Sequence, residues 1–338
     1  MNKIIRDIVV MGKKAISLPY SADFSLLSDG ALPEAWVGDT FSISSGKAVN
    51  SATPASTLLT NGNFEGTFTS GLAASWGKYP AGTVVAESAD VHGGSKAQSC
   101  GNATGAVGSV YQDTASIPIG TWIRLSAWAK IVTGTGFLAC AQGFGGYSTI
   151  ASRGIPSSSY TEVLCIGRAS ATGIHTVKLI NSLHAVAETN TSIIDDIALQ
   201  KYTTSQLNSY LTYSYSNVAV SKSSWTKTAV GEVFGHIGWW DGVADHQNCL
   251  IAYCDGVTAY LYKIVGTTQT LVKIGAITYV DGGDIEIRRP TGNTFQLWYN
   301  GTQVSTDATI SDVEIINNKR FGLFTSGGGC ACDAFFLV

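Results

Sequence analysis

The sequence predicts an all-β protein built from two antiparallel β-sandwich (jelly-roll) domains. Charged residues are only 13% of the chain and glycine reaches 38 of 338 residues, a composition suited to short strands joined by tight turns. No stretch carries the capped 3.6-residue period of a long amphipathic helix. Short alternating runs bounded by Gly, Asn and Asp recur along the chain instead, and 338 residues leave room for two domains of ordinary size.

The first such run is Asp23-Phe24, Asp29-Gly30, Leu32-Pro33, Trp36, then the strand Phe41 to Val49. It resembles the opening strands of concanavalin-A-like (laminin-G-like) sandwiches. A small polar linker, Ser51 to Ser56, interrupts it. The string Leu58-Leu59-Thr60-Asn61-Gly62-Asn63-Phe64-Glu65 then resembles the start of carbohydrate-binding modules of families 4 and 9. Val91 to Ala97, Val110-Tyr111-Gln112, Ile119 to Lys130 and Ile194 to Leu199 extend that resemblance in order over about 140 residues.

After Tyr202 the first pattern resumes with Gly231 to Gly235, Asn248 to Tyr253, Ala259 to Ile264, Ile285 to Arg288, Phe295 to Gly301, Phe321 to Phe324 and Asp333 to Val338. Asn300-Gly301 accepts the positive φ angles of a type I′ hairpin turn. The two resemblances together imply one sandwich inserted into the other. Residues 1–19 form an N-terminal attachment arm, 20–56 and 203–338 one discontinuous concanavalin-A-like sandwich, and 57–202 the inserted domain.

A net charge of -3 without a Lys/Arg cluster argues against nucleic acid. No run approaches the roughly 18 apolar residues of a membrane span. The patch Ile8 to Met11, bounded by Asp7 and by Lys13 and Lys14, is too short for a secretory signal. Seven cysteines at irregular spacing are expected to be buried thiols of a chain folded in cytoplasm.

Strand Trp122 to Ile131 alternates. Ile123, Leu125, Ala127, Ala129 and Ile131 make one face; Trp122, Arg124, Ser126, Trp128 and Lys130 make the other. Indole faces stack on the C–H patches of sugar rings, and Arg and Lys donate to sugar hydroxyls. Trp122, Arg124 and Trp128 are therefore candidate carbohydrate-binding residues, and the resemblance places a glycan groove on a sheet face. A covering loop would instead make the same tryptophans packing residues. Trp76 and Tyr79, in the Gly/Pro-bounded loop Ser75 to Gly82, could flank the groove. Phe144, Tyr147 and one of the adjacent Trp239 and Trp240 are further candidates.

In the resembled modules, an acid after the opening aromatic and an acid before the last strand help hold a structural calcium. Here that implies Glu65 and Asp196, with Asp195 as the alternative, since hard oxygens suit Ca²⁺. Ordinary turn carboxylates capped by backbone N–H groups are the other reading. Catalysis finds little support: there is no Glu-x-Asp-x-x-Glu string, Asp284 and Glu286 lack a third acid, and the five histidines show no metal spacing.

These readings converge on a non-catalytic protein that binds glycan or serves surface display. Missing signal, free thiols and architecture suggest a component of a bacterial virus: a head fibre, a decoration protein or a tail receptor binder. It would be made in the host cytoplasm and carried on the virion surface, or be extracellular if not viral. The expected partners are a cell-surface or extracellular glycan and other virion proteins, met through the arm. A homo-oligomer is expected, a trimer being the first expectation.

Overall fold

The computed structural model describes residues 18–338 except 34, 38–39, 80–81, 103–107, 143–148, 181–188, 203–206, 212, 228–231, 243–245 and 327–329. Most of the arm 1–19, Phe144, Tyr147 and His184 therefore lie outside the described residues.

The chain is all-β, two antiparallel sandwiches with one inserted into the other. The outer sandwich pairs a ten-stranded sheet with a seven-stranded one. The ten-stranded sheet runs from Gly30–Ala31 through Phe41–Ser44, Lys47–Asn50, Cys330–Leu337, Val220–Lys227, Gly283–Arg288 and Thr294–Tyr299 to Thr302–Gln303. Tyr20–Asp23 joins it by pairing with Cys330–Leu337. The seven-stranded sheet runs from Thr268–Ala276 through Thr258–Val265, Cys249–Cys254, Phe234–Trp240, Arg320–Thr325 and Asn208–Leu211 to Trp36–Val37. Strands from before residue 51 and after residue 207 thus share both sheets.

Two five-stranded sheets make the inserted sandwich. One orders Thr161–Arg168, Trp122–Thr133, Asn190–Tyr202, Ala97–Asn102 and Gly82–Glu87; the other orders Thr149–Gly154, Phe137–Gln142, His175–Ile180, Ser109–Asp113 and Gly77–Lys78. The way in and the way out lie side by side. Ala55 N–H donates to the Lys201 carbonyl and Leu58 N–H to that of Leu199, at 3.1 and 2.7 Å. Close ends are what an inserted domain requires.

Alternation builds both cores. Ile123, Leu125, Ala127 and Ala129 enter the inserted core with Val110, Leu138, Val177, Leu179, Ile194 and Leu199. Phe24, Trp36, Trp225, Phe234, Phe295, Phe321 and Phe335 fill the outer one. Asn300 and Gly301 take φ of 45° and 76°, the type I′ geometry, between the paired Tyr299 and Thr302. All seven cysteines are buried free thiols.

A third cluster joins the sandwiches. Trp122, Leu164, Ile166 and Tyr202 of the inserted domain pack on Val233 and on Trp240, Ile251, Tyr253 and Phe324 of the seven-stranded sheet. Polar ties cross the same seam: Trp122 Nε1 to His246 Nδ1 at 3.1 Å, Arg168 Nη1 to the Thr267 carbonyl at 2.8 Å, and Tyr202 Oη to the Ser326 carbonyl. A seam this apolar holds two domains in one orientation.

Candidate functional site

The seam decides which predicted residues can meet a ligand. Trp122 is 1% exposed, wedged against Phe324 and bonded to His246, so it is a packing residue of the seam and not a sugar platform. Arg124 is also spent there. Its guanidinium bonds Ser126 and Gln200 and lies 3.3 and 3.4 Å from Glu162 and Glu232, the second belonging to the outer sandwich. Trp122 and Trp128 do share a face, but six residues at about 3.3 Å each separate them by about 20 Å. The second sandwich covers one end of that strand and not the other.

Trp76 is core as well: it is buried, its ring lies 5.2 Å from that of Phe64, and its Nε1 donates to the Asn61 carbonyl. Tyr79 stands with the opposite sheet. Its backbone bonds Ser109, its ring meets Tyr111 at 5.7 Å, and Lys178 Nζ lies 5.9 Å from its centroid. Neither residue flanks Trp128. Trp239 and Trp240 point to opposite sides of their strand, yet both are buried, one in the outer core and one in the seam.

Trp128 remains half-exposed, at the open end of the strand, in a compact polar-aromatic group. The His92 ring stacks on its indole at 3.9 Å and 9°, and Tyr160 meets His92 at 5.7 Å. Lys130 Nζ lies 5.2 Å from the Tyr160 centroid and pairs with Asp90, whose carbonyl accepts from Tyr160 Oη at 2.9 Å.

A β-bulge arranges the acids beneath this group. The register between Trp122–Thr133 and Asn190–Tyr202 slips between Ser126 and Trp128, and Asp196 takes φ of 48°. A bulge re-aims side chains. Asp195 turns inward, fully buried, and accepts from the His92 and Gly93 amides at 3.0 and 3.1 Å. Burial pushes its carboxyl up. Asp196 turns outward and meets His92 Nδ1 at 2.9 Å, fixing the ring that stacks on Trp128.

Glu65 caps the next turn. It accepts from the Ser95 amide and hydroxyl at 2.7 Å each and from the Lys96 amide at 2.9 Å, and these donors, the Ser95 hydroxyl foremost, hold its carboxyl below the usual range. Lys96 Nζ reaches the carbonyls of Glu65 and Gly66 at 3.3 and 3.1 Å. A carboxylate oxygen of Glu65 and one of Asp196 stand within 2.8 Å of where a Cβ would be placed on Gly94 and Gly93, so the 92–95 turn runs between the two acids. Hard oxygens suit calcium, but as placed these oxygens serve amide, hydroxyl and imidazole partners, which an ion would have to displace.

Local sequence pattern reaches Trp128 and Lys130 but misses His92, Tyr160 and Asp90, which come from other strands and turns. Among the described residues no helix is long and apolar enough to cross a membrane, and no cluster of three or more His, Cys, Asp or Glu has metal-binding geometry.

No protein-family model matches the chain, and no curated protein matches it. Solved structures that the chain matches include a carbohydrate-binding module CBM66 from Bacillus subtilis, 16% identical over 41% of this chain and 83% of its own, with a TM-score of 0.30. The CBM22-1–CBM22-2 tandem of Paenibacillus barcinonensis Xyn10C is 9% identical over 85% of this chain and 99% of its own, at 0.35. The tail fibre protein gp63.1 of an E. coli phage is 10% identical over 78% of this chain and 39% of its own, at 0.25.

Proposed function

We propose that this chain is a non-catalytic glycan-binding protein whose inserted sandwich presents the Trp128 group to saccharide. One observation carries the reading: a partly buried indole, stacked by the His92 ring that Asp196 and Tyr160 also meet, with Lys130 over Tyr160, stands at the end of the strand away from the seam. Aromatic stacking contributes about 0.5–1.5 kcal/mol beyond burial. A single site of this kind binds in the millimolar to micromolar range and gains strength when many copies act together.

On a glycan array and in calorimetric titration of its best-bound oligosaccharide, Trp128→Ala is expected to lower affinity about tenfold with the melting temperature nearly unchanged. Full affinity in that variant removes the site. Release of reducing sugar from the bound oligosaccharide would overturn the non-catalytic part.

The proposal extends to display on the surface of a bacterial virus, with residues 1–19 as the attachment arm. The supports are the apolar Ile4, Ile5, Ile8, Val9 and Val10 in a segment too small to form a core. Structural calcium at Glu65 and Asp196 belongs to it in one form only, an ion that displaces the donors of the 92–96 turn. A melting temperature that rises in millimolar calcium and falls in excess chelator supports that ion, by linkage to the folded state. An unchanged one leaves Glu65 as a turn cap.

A further inference from the structure

The outer face of the ten-stranded sheet carries a second array of the same chemical kind. Cross-strand register sets Ser21, Phe336, Lys222, Glu286, Trp298 and Gln303 in one row over six strands. Directly opposed residues of antiparallel strands project to the same face. Phe295, Leu297 and Tyr299 of the same strand point into the core, which leaves Gln296 and Trp298 outward.

Trp298 is half-exposed, and its position is fixed on two sides. The Arg288 guanidinium lies 3.7 Å from its centroid, and its Nε1 donates to Gln296 Oε1 at 3.0 Å. Arg288 Nε in turn donates to Glu286 at 2.7 Å, and Glu286 is only 4% exposed. Lys222 pairs with Asp284 and lies 5.7 Å from the Phe336 ring.

Burying a carboxylate on an outward sheet face is costly unless it is paired and bonded. Here the pairing locks Glu286, Arg288 and the indole into one rigid group, with no rotamer ordering left for a ligand to cost. Two pairs of charges cancel, Arg288 with Glu286 and Lys222 with Asp284. Asp307, which accepts from the Gln296 and Gln303 amides at 2.8 Å each, adds one exposed carboxylate at the margin. The array offers fixed donors and acceptors around an aromatic ring, with that carboxylate as an acceptor for hydroxyl groups. An anionic ligand or an anionic lipid surface finds no complement in it. An uncharged polyhydroxyl ligand does.

We infer that the Trp298 face of the outer sandwich is a second saccharide-binding site, selective for neutral oligosaccharides. It lies on the other domain from Trp128, so one chain carries two separable sites. The inference rests on the reading of the protein as a glycan binder but not on the Trp128 group.

The test uses the full chain on an array of neutral gluco-, galacto-, manno- and xylo-oligosaccharides with uronate oligosaccharides alongside. Trp298→Ala is expected to lose at least tenfold in apparent affinity on a subset of neutral probes that Trp128→Ala leaves intact. The double variant is expected to lose both subsets. Trp298→Phe, which keeps a ring, and Gln303→Ala, at the sheet margin, guard against misfolding: the first should retain part of the signal, the second should lower it with the melting temperature unchanged. Binding by Trp298→Ala equal to the parent on every probe overturns the inference while leaving Trp128 standing. A loss confined to Trp298→Ala, with Trp128→Ala silent, supports it and overturns the other site. A parent chain that binds no probe overturns both.

Discussion

Replacing Trp122 by alanine is expected to lower stability by about 3–5 kcal/mol, the usual cost of emptying a buried aromatic site, while leaving saccharide affinity at Trp128 in place. The indole is 1% exposed and joins both halves of the seam, through Phe324 by packing and through His246 by its only polar atom. Its removal also strands His246 Nδ1 in a dry site, which adds about 1–3 kcal/mol. The loss falls on the coupling between sandwiches more than on either core, so calorimetry should resolve two transitions where the parent shows one. Leu125→Ala, whose side chain enters the inserted core, should cost about 2–5 kcal/mol within that domain alone. If Trp122→Ala weakens binding as Trp128→Ala does and melts like the parent, Trp122 belongs to the ligand face after all.

The two tryptophans show how far alternation reaches. Period two places Trp122, Arg124 and Trp128 on one face of the strand, and they are there. What period two cannot supply is the cover, which arrives from strands more than 100 residues away in sequence. Trp239 and Trp240 repeat the lesson. Adjacent strand residues do oppose one another, but the side away from the core is the seam, so neither is exposed.

Turn chemistry is the most local signal and was the most legible, as Asn300-Gly301 shows. The Trp128 group was legible only in part, because its neighbours His92 and Tyr160 reach it across the sheet and a bulge aims Asp196. Trp298 had a readable signal. Alternation in Phe295 to Tyr299 leaves that indole outward, but the strand offers no hint of the Arg288–Glu286 pair that holds it.

Acid should unfold this protein cooperatively, beginning below pH 6.5. His236 and His246 are both fully buried, and burial pushes each down to about 3. His246 must be neutral to hold the seam. An indole N–H only donates, so Nδ1 accepts from Trp122 and Nε2 carries the proton, which requires Asn208 to present its oxygen. His236 sits in the outer core with Ser223 at 3.0 Å and Phe335 beside it. In the unfolded chain both histidines titrate near 6.5. Their folded values are lower, so the stability they contribute is fully present above 6.5 and is lost as pH falls toward about 3. Each contributes a slope of about 1.4 kcal/mol per pH unit over that window. Together they reach about 3 kcal/mol per unit, against a total stability of about 5–15 kcal/mol. Glu65, held below the usual carboxylate range, adds a loss in the same direction at the acid end. Melting temperature followed from pH 8 to pH 4 should fall steadily below 6.5. His246→Gln should be less stable at pH 8 and should show a shallower fall. A melting temperature that stays level from pH 7 to pH 4 would show that neither histidine is kept neutral by the fold.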